Sequence, residues 1–234
     1  MYPPQFSYDS YSSSVDTMVA SAMKQVYLKM FLGLLVTGVV AWFCGNSVGF
    51  WQFMARNQWA MWGLLIAEFG IVYGISAGIQ KLSSAAASGL FYLFAVINGL
   101  TLSSIFLAYS LGSIAMTFFI TAGTFGAMSV YGYFTDRDLS KMGSILFMGL
   151  IGLIIASLVN IFLKSSALGW IVSFAGVLIF TGLTAWDTQA IKRMAAQMPA
   201  NQIGRLATLG ALSLYLDFIN IFIYLLQFFG NSRD

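Results

Sequence analysis

Histidine, cysteine and charge are what this sequence has least of. None of its 234 residues is a histidine, and Cys44 is its single cysteine. Without histidine, a serine–histidine catalytic site, an HExxH metalloprotease and the usual zinc sites are excluded. With one cysteine, no intrachain disulfide can form.

Charged side chains are also scarce, at 8% of the residues, whereas 59% are apolar. Soluble domains carry about 25% charged residues, so this composition is typical of an integral membrane protein. The net charge of +3 does not require a nucleic-acid partner, because membrane proteins keep lysine and arginine for their cytoplasmic loops. The expected partner is the lipid bilayer.

Seven apolar runs follow one another with short gaps, and each is close to the ~20 residues that a helix needs to cross a bilayer. They cover residues 26–44, 59–79, 88–109, 114–134, 142–163, 168–187 and 206–229. We predict an all-α membrane protein with seven transmembrane helices in one domain over residues 24–230. A mobile tail is expected over residues 1–23 and a short C-terminal tail over 231–234. The first run is too long for a signal-peptide core and is expected to be retained.

The basic residues predict the orientation of these helices. Eight of the eleven fall on one side: Lys24, Lys29, Lys81, Arg137, Lys141, Lys192, Arg193 and Arg205. Arg56, Lys164 and Arg233 fall on the other. The positive-inside rule therefore places the N-terminus in the cytoplasm and the C-terminus outside. A re-entrant last segment, which would bring both termini to the cytoplasm, is the alternative.

Three acidic residues lie in or near the apolar runs: Glu68, Asp187 and Asp217. Asp217 is near the middle of the last run, where an unpaired charge costs at least a few kcal/mol. Asp187 ends the preceding run and is its candidate partner. A direct contact requires tilt, a kink or a seventh helix that begins in the cytoplasm, because Asp187 is predicted to lie nearer the membrane surface.

Intramembrane carboxyls are typical of proton relays and cation paths. Glu68, Asp217 and Asn220, which shares a helix face with Asp217, are therefore candidates for an ion path. A structural hydrogen bond is the alternative for each of them. Asn98, in the polar strip 97–104 (INGLTLSS), predicts tight packing against the central helix.

Glycines at helical spacing, such as Gly70 with Gly74, Gly123 with Gly126 and Gly149 with Gly152, predict close helix packing. No nucleotide-binding motif is present, so transport has no visible energy source. Trp186-Asp187 resembles the first motif of presenilin-type aspartyl proteases. The Gly-x-Gly-Asp that those proteases need is absent at Asp217, so we do not expect an enzyme.

The strip 97–104, the segment 185–189 (AWDTQ) and above all 209–220 (LGALSLYLDFIN) resemble the Bax inhibitor-1 family, in its bacterial branch. The resemblance implies a last helix surrounded by the other six. It also implies a pH-sensitive calcium leak gated by an aspartyl pair, Asp187 and Asp217, which would also contact the calcium ion. It implies no cofactor, calcium as the permeant ion, and the bacterial inner membrane as location.

Some family members have an arginine that latches the pair. Here Lys81 and Arg205 are the candidate latch residues. Some bacterial members are thought to modulate a membrane protease, so a regulator without transport stays an alternative. Permeation of protons, instead of calcium, is another alternative. Because two carboxyls in a low dielectric resist double ionisation, flux is expected to depend on pH with a midpoint between roughly 5 and 8.

Overall fold

A computed structural model of the chain describes residues 8–230, with side chains from Val15 onward. Helix α1 begins at Tyr8, so the prediction of a mobile tail over residues 1–23 is wrong from that point. Val19, Ala22 and Met23 are buried in the core, because this part of α1 packs beside neighbouring helices. Residues 1–7 and 231–234 lie outside the described residues, as does Arg233.

Helices make up all the regular structure of the described residues. They are α1 (Tyr8–Gly45), α2 (Val48–Arg56), α3 (Ala60–Gly78), α4 (Ser84–Leu102), α5 (Ile105–Ala108), α6 (Leu111–Phe134), α7 (Ser140–Leu163), α8 (Ser166–Gln197) and α9 (Ile203–Phe229), with a 3-10 turn at Ala200–Gln202 before α9. Seven segments are long and apolar enough to span a membrane. The all-α fold with seven transmembrane helices is therefore confirmed. Helices α2 and α5 are short additions that hydropathy did not reveal.

Serine side chains begin four of these helices. Ser47, Ser83, Ser110 and Ser165 each accept a hydrogen bond from the backbone N–H three residues later, at the start of α2, α4, α6 and α8. These bonds satisfy N–H groups that have no partner inside a helix. Local sequence thus sets where these four helices start. The length of the apolar run predicts how many residues a membrane helix contains.

Helix α9 occupies the centre of the bundle. In its most apolar part 67% of the residues are buried, compared with 6% in α3 and in α7. It packs against α1, α4, α6 and α8 and touches α3. Helix α7 packs on α8, and its Ser157 side chain interacts with Tyr224 of α9. The last helix is thus in contact with the other six.

The outer surface of the bundle is apolar. Phe69, Phe119 and Phe162 are 76%, 73% and 85% exposed. Such side chains would be costly in water over so wide a surface and are suited to lipid. The chain is an integral membrane protein.

Helix α9 runs without a break over 27 residues, about 40 Å at 1.5 Å per residue. A re-entrant segment would need a turn within this stretch. The structure therefore favours a last helix that spans.

One end of the bundle, which we call the basic end, carries contacts made by the predicted cytoplasmic cations. There Arg205 donates to the carbonyl of Gln80 at 2.7 Å, and Lys192 donates to the carbonyl of Tyr133 at 2.8 Å. Arg193 pairs with Asp138 at 2.6 Å. The end of α3, the loop between α6 and α7, the end of α8 and the start of α9 therefore meet at this end.

Candidate functional site: two aspartates on neighbouring helices

Asp187 and Asp217 lie on α8 and α9, and their side chains interact with each other. Two ionised carboxylates have acceptors only, so a hydrogen bond between them requires a shared proton. Helix α8 continues ten residues past Asp187, to Gln197. This extension, together with a start of α9 at Ile203, brings the two residues to similar depth.

Asp217 is enclosed by the bundle, with 4% of its surface exposed. Its Oδ2 atom has no standard hydrogen-bond partner among the described residues. Asp187 is only partly buried. The pair therefore has one carboxyl enclosed in the core and one that is partly exposed.

Two glycines on neighbouring helices let α8 pack closely just before Asp187. A Cβ on Gly132 of α6 would collide with the backbone of Ala185, and one on Gly143 of α7 would collide with the indole of Trp186. These close approaches fix the height of Asp187 in the bundle. Close packing thus occurs at these glycines, whereas Gly70, Gly74, Gly123 and Gly126 meet no neighbouring atoms. The prediction from spacing was therefore wrong at these four positions, but it is confirmed at Gly149 of α7, where a Cβ would lie 3.3 Å from Ile179 of α8.

Gln189 holds the loop between α6 and α7 against α8. Its Oε1 accepts from the N–H of Leu139 at 3.0 Å, and its Nε2 donates to the carbonyl of Arg137 at 2.8 Å. A single side-chain amide thus serves both a backbone donor and a backbone acceptor of the loop. The AWDTQ segment therefore positions the aspartate and closes the neighbouring loop.

Glu68 lies apart from the aspartates. Its Oε1 accepts from Thr101 at 2.8 Å, and its carboxyl also bonds to Asn98. Both partners belong to α4. Asn98 accepts in turn from the hydroxyl of Tyr215 on α9 at 2.9 Å. Tyr215 and Asp217 are two residues apart, about 200° around the helix, so Glu68 and Asp187 approach α9 from different faces.

Asn220, the third residue of the predicted ion path, donates from Nδ2 to the carbonyl of Leu216 in its own helix at 2.8 Å. The local hydrogen bond that was its alternative interpretation is thus present. Asn98 is buried against α9, as its strip predicted.

The candidate latch residues are placed away from the pair. Arg205 binds the carbonyl of Gln80, and Lys81 is exposed in the turn after α3. Within the described part of the chain, neither forms an ion pair with a carboxylate. Clusters of three or more histidine, cysteine or acidic side chains are likewise absent from it. Any cation site at Asp187 and Asp217 would thus have two carboxyls at most.

Lys29, counted above among the basic residues of the cytoplasmic side, lies inside the apolar part of α1, Val15–Gly45. Its ammonium donates to Ser88 at 2.8 Å, Thr208 at 2.7 Å and the carbonyl of Gly204 at 3.2 Å. It therefore ties α1 to α4 and to the start of α9. Sequence reasoning did not reveal this tie, because the neutral oxygens that solvate the ammonium come from distant positions in the chain.

Tyr215 and Thr37 are two further residues that sequence reasoning missed. Their hydroxyl oxygens are 2.6 Å apart, and both side chains are buried. A tyrosine deep in an apolar helix was the available signal, because a buried phenol needs a hydrogen-bond partner.

A polar cavity of about 360 Å³ opens at the basic end, lined by Gln189 and Lys192 of α8 and by Gly132 and Tyr133 of α6. The Lys192 ammonium lies 4.7 Å from the centre of the Tyr133 ring. Close by, on the surface, hydrogen bonds from Arg193 and then Ser140 lower the pKa of Asp138 to about 2. The cavity begins two residues along α8 from Asp187.

Comparison with known proteins agrees with this architecture. Residues 19–234 match the family described as inhibitor of apoptosis-promoting Bax1. Inner membrane protein YbhL of Escherichia coli strain K12 is 52% identical over 214 residues, which cover 90% of this chain and 92% of that protein. An uncharacterized protein of Borreliella burgdorferi is 47% identical, covering 91% and 92%. Protein RP147 of Rickettsia prowazekii, also uncharacterized, is 44% identical, covering 96% and 95%. With a family match over nearly the whole chain and relatives at this identity, the protein belongs to the Bax inhibitor-1 family.

Proposed function

We propose that this protein is a passive, pH-sensitive calcium leak of the bacterial inner membrane, gated by Asp187 and Asp217. The observation that carries the proposal is the contact between these two carboxyls on α8 and α9, with an Asp217 oxygen left without a partner in the core. The name of the Escherichia coli relative supports the inner-membrane location. The distribution of basic residues supports a cytoplasmic basic end.

The chemistry of the pair suits a divalent cation. Calcium entering the low-dielectric interior must exchange hydration for oxygen ligands, and carboxylates are the hard anionic donors that it favours. The cavity beside Gln189 and Lys192 would be the mouth of the path. With Asp217 enclosed, the described conformation is the closed state.

Proton binding would act through the contact between α8 and α9. A single shared proton holds the two carboxyls together, whereas double ionisation places two negative charges side by side. Gain or loss of that proton changes the force between the helices at the point where the path is closed. The flux therefore depends on pH, with the midpoint between roughly 5 and 8 expected for such a pair.

The test is calcium uptake into liposomes that contain only the purified protein. Asp217→Ala should reduce the flux about tenfold or more, a change equivalent to ~1.4 kcal/mol. Asp138→Asn, which removes a surface carboxyl, is the matched control and should conduct like the parent. Asp187→Asn keeps the shape but cannot titrate, and should flatten the dependence of flux on pH.

Each outcome separates the alternatives. Proton flux without calcium flux would reassign the permeant ion. Absence of any flux in the parent protein would refute the leak and leave a regulator of a membrane protease as the hypothesis. An Asp217→Ala variant that conducts like the parent would remove the pair from the path.

A further inference from the structure

We propose that Glu68 is a second proton-binding site, and that its protonation state decides which neighbour the Tyr215 hydroxyl holds. The site lies on a different face of α9 from Asp217. It depends on hydrogen bonds among α1, α3, α4 and α9, and it does not rest on the proposed ion flux.

The number of available protons limits which contacts around Tyr215 are hydrogen bonds. The hydroxyl oxygen of Thr37 is 2.8 Å from the carbonyl oxygen of Ala95 and 2.6 Å from the hydroxyl oxygen of Tyr215. The Tyr215 oxygen is also 2.9 Å from Oδ1 of Asn98. Two hydroxyl groups supply two protons for these three contacts. Only two of the three contacts can be hydrogen bonds at any moment. The two hydroxyl protons can therefore be arranged in alternative ways.

When Glu68 is ionised, one arrangement is favoured. The Asn98 amide donates to the carboxylate, Tyr215 donates to Asn98, and Thr37 donates to Tyr215. Every dipole in this chain then points its positive end at the negative charge, which stabilises that charge. The carbonyl of Ala95 then loses the Thr37 donor, but it lies within helix α4, where a carbonyl accepts from the backbone N–H four residues later.

When Glu68 is protonated, the other arrangement becomes available. Tyr215 can turn its proton to Thr37, and Thr37 can donate to the carbonyl of Ala95. The same reversal is possible at Thr101, whose hydroxyl is 2.8 Å from Glu68 and 3.3 Å from the carbonyl of Ile97. A neutral Glu68 can donate to Thr101 while Thr101 donates to Ile97. Thr37 and Thr101 thus each have a main-chain acceptor within reach in the alternative state, and Tyr215 has the Thr37 oxygen.

The surroundings of Glu68 make the carboxyl the group that titrates. Of the helices packed on α3, α4 presents the uncharged Asn98 and Thr101, and α9 presents Tyr215. Tyr215 is itself fully buried. Within the described residues Glu68 has no basic partner at ion-pair distance. A half-buried carboxyl without a counter-charge can be neutralised by a proton.

Proton binding would therefore be transmitted to the central helix. The Tyr215 proton joins α9 to α4 when Glu68 is ionised and to α1 when it is neutral. The ring itself stays in place, because Phe91 and Phe94 contact it edge-on with centroid distances of 5.7 and 5.6 Å. Tyr215→Phe consequently removes the hydroxyl and leaves the packing.

The experiment is an infrared pH titration of the purified protein in lipid, following the band of protonated carboxyl groups. Glu68→Gln should remove one component of the titrating band. Tyr215→Phe should shift the midpoint of that component upward by about half a pH unit or more, because the carboxylate loses a polarised donor chain. Thr37→Val should shift it in the same direction.

Two controls isolate the network. Tyr224→Phe removes a hydroxyl from α9 that bonds to Ser157 instead. Thr121→Val removes a buried hydroxyl that donates within α6 at 2.8 Å. Neither should move the midpoint. The proposal is overturned if Glu68→Gln leaves the titrating band unchanged, or if Tyr215→Phe and Thr37→Val titrate like their controls.

Discussion

Lys29→Met is the sharpest test of how the bundle is held together. The substitution keeps an unbranched side chain of similar length but removes the ammonium, and with it three hydrogen bonds that join α1 to α4 and α9. Because these bonds come from a half-buried charged group, they are worth more than neutral ones. The decrease in Tm of the variant therefore measures the combined contribution of the three hydrogen bonds to stability.

The acceptors limit the size of the effect. Ser88 also lies 2.9 Å from the carbonyl of Ser84, and Thr208 lies 3.1 Å from that of Gly204. Both hydroxyls thus keep a partner after the ammonium is gone, so the cost is below three full charged hydrogen bonds. We expect about 2 to 3 kcal/mol of lost stability, or a decrease in Tm of roughly 4 to 10 °C for a chain of this size.

The assay is intrinsic tryptophan fluorescence during heating in detergent, for which the six tryptophans give ample signal. Lys24→Met is the matched control, because Lys24 is exposed on the same helix and its loss should change Tm by about 1 °C or less. Equal Tm values for the two variants would refute the role given to Lys29.

Three other predictions concern packing, pH and topology. Gly132→Leu should reduce Tm or the yield of folded protein, because the added side chain meets the backbone of α8, with a cost on the order of 3 kcal/mol or more. Asp138→Asn should flatten the dependence of Tm on acid pH: the pKa of Asp138 is lowered from 3.8 to about 2 in the folded state, so its contribution is present above pH 3.8 and is lost as the pH falls toward 2. Single cysteines at Lys81 and Lys164 should react with an impermeant thiol reagent from the cytoplasmic and the outer side respectively.

Their controls use neighbouring positions. Gly123→Leu, also on α6, meets open space and should be tolerated. Asp136→Asn changes an exposed carboxyl in the same loop as Asp138 and should keep the acid slope of the parent. The thiol experiment needs a Cys44→Ser background. Destabilisation by Gly123→Leu equal to that of Gly132→Leu, an acid slope unchanged by Asp138→Asn, or labelling of both cysteines from one side would each contradict the corresponding argument.

The number and identity of the membrane helices could be predicted from the sequence, because each helix satisfies its backbone within itself and its apolar length is visible locally. The conspicuous position of Asp217 was visible for the same reason. The family followed from short motifs whose residues are adjacent in the chain. The ends of α1 and α8 were not predictable, because the parts of a helix that pass beyond the membrane carry polar residues and lose the hydropathy signal.

The tertiary structure alone decided which polar side chains meet. Asp187 meets Asp217 because α8 packs along α9 and approaches Gly132 and Gly143 closely just before Asp187. Lys29 is stable inside an apolar helix because its three acceptors arrive from α4 and α9. Glu68 meets Thr101 because α3 packs on α4. A hydrogen bond depends on distance and angle within a few tenths of an ångström, and that precision is set by how helices pack, which hydropathy does not encode.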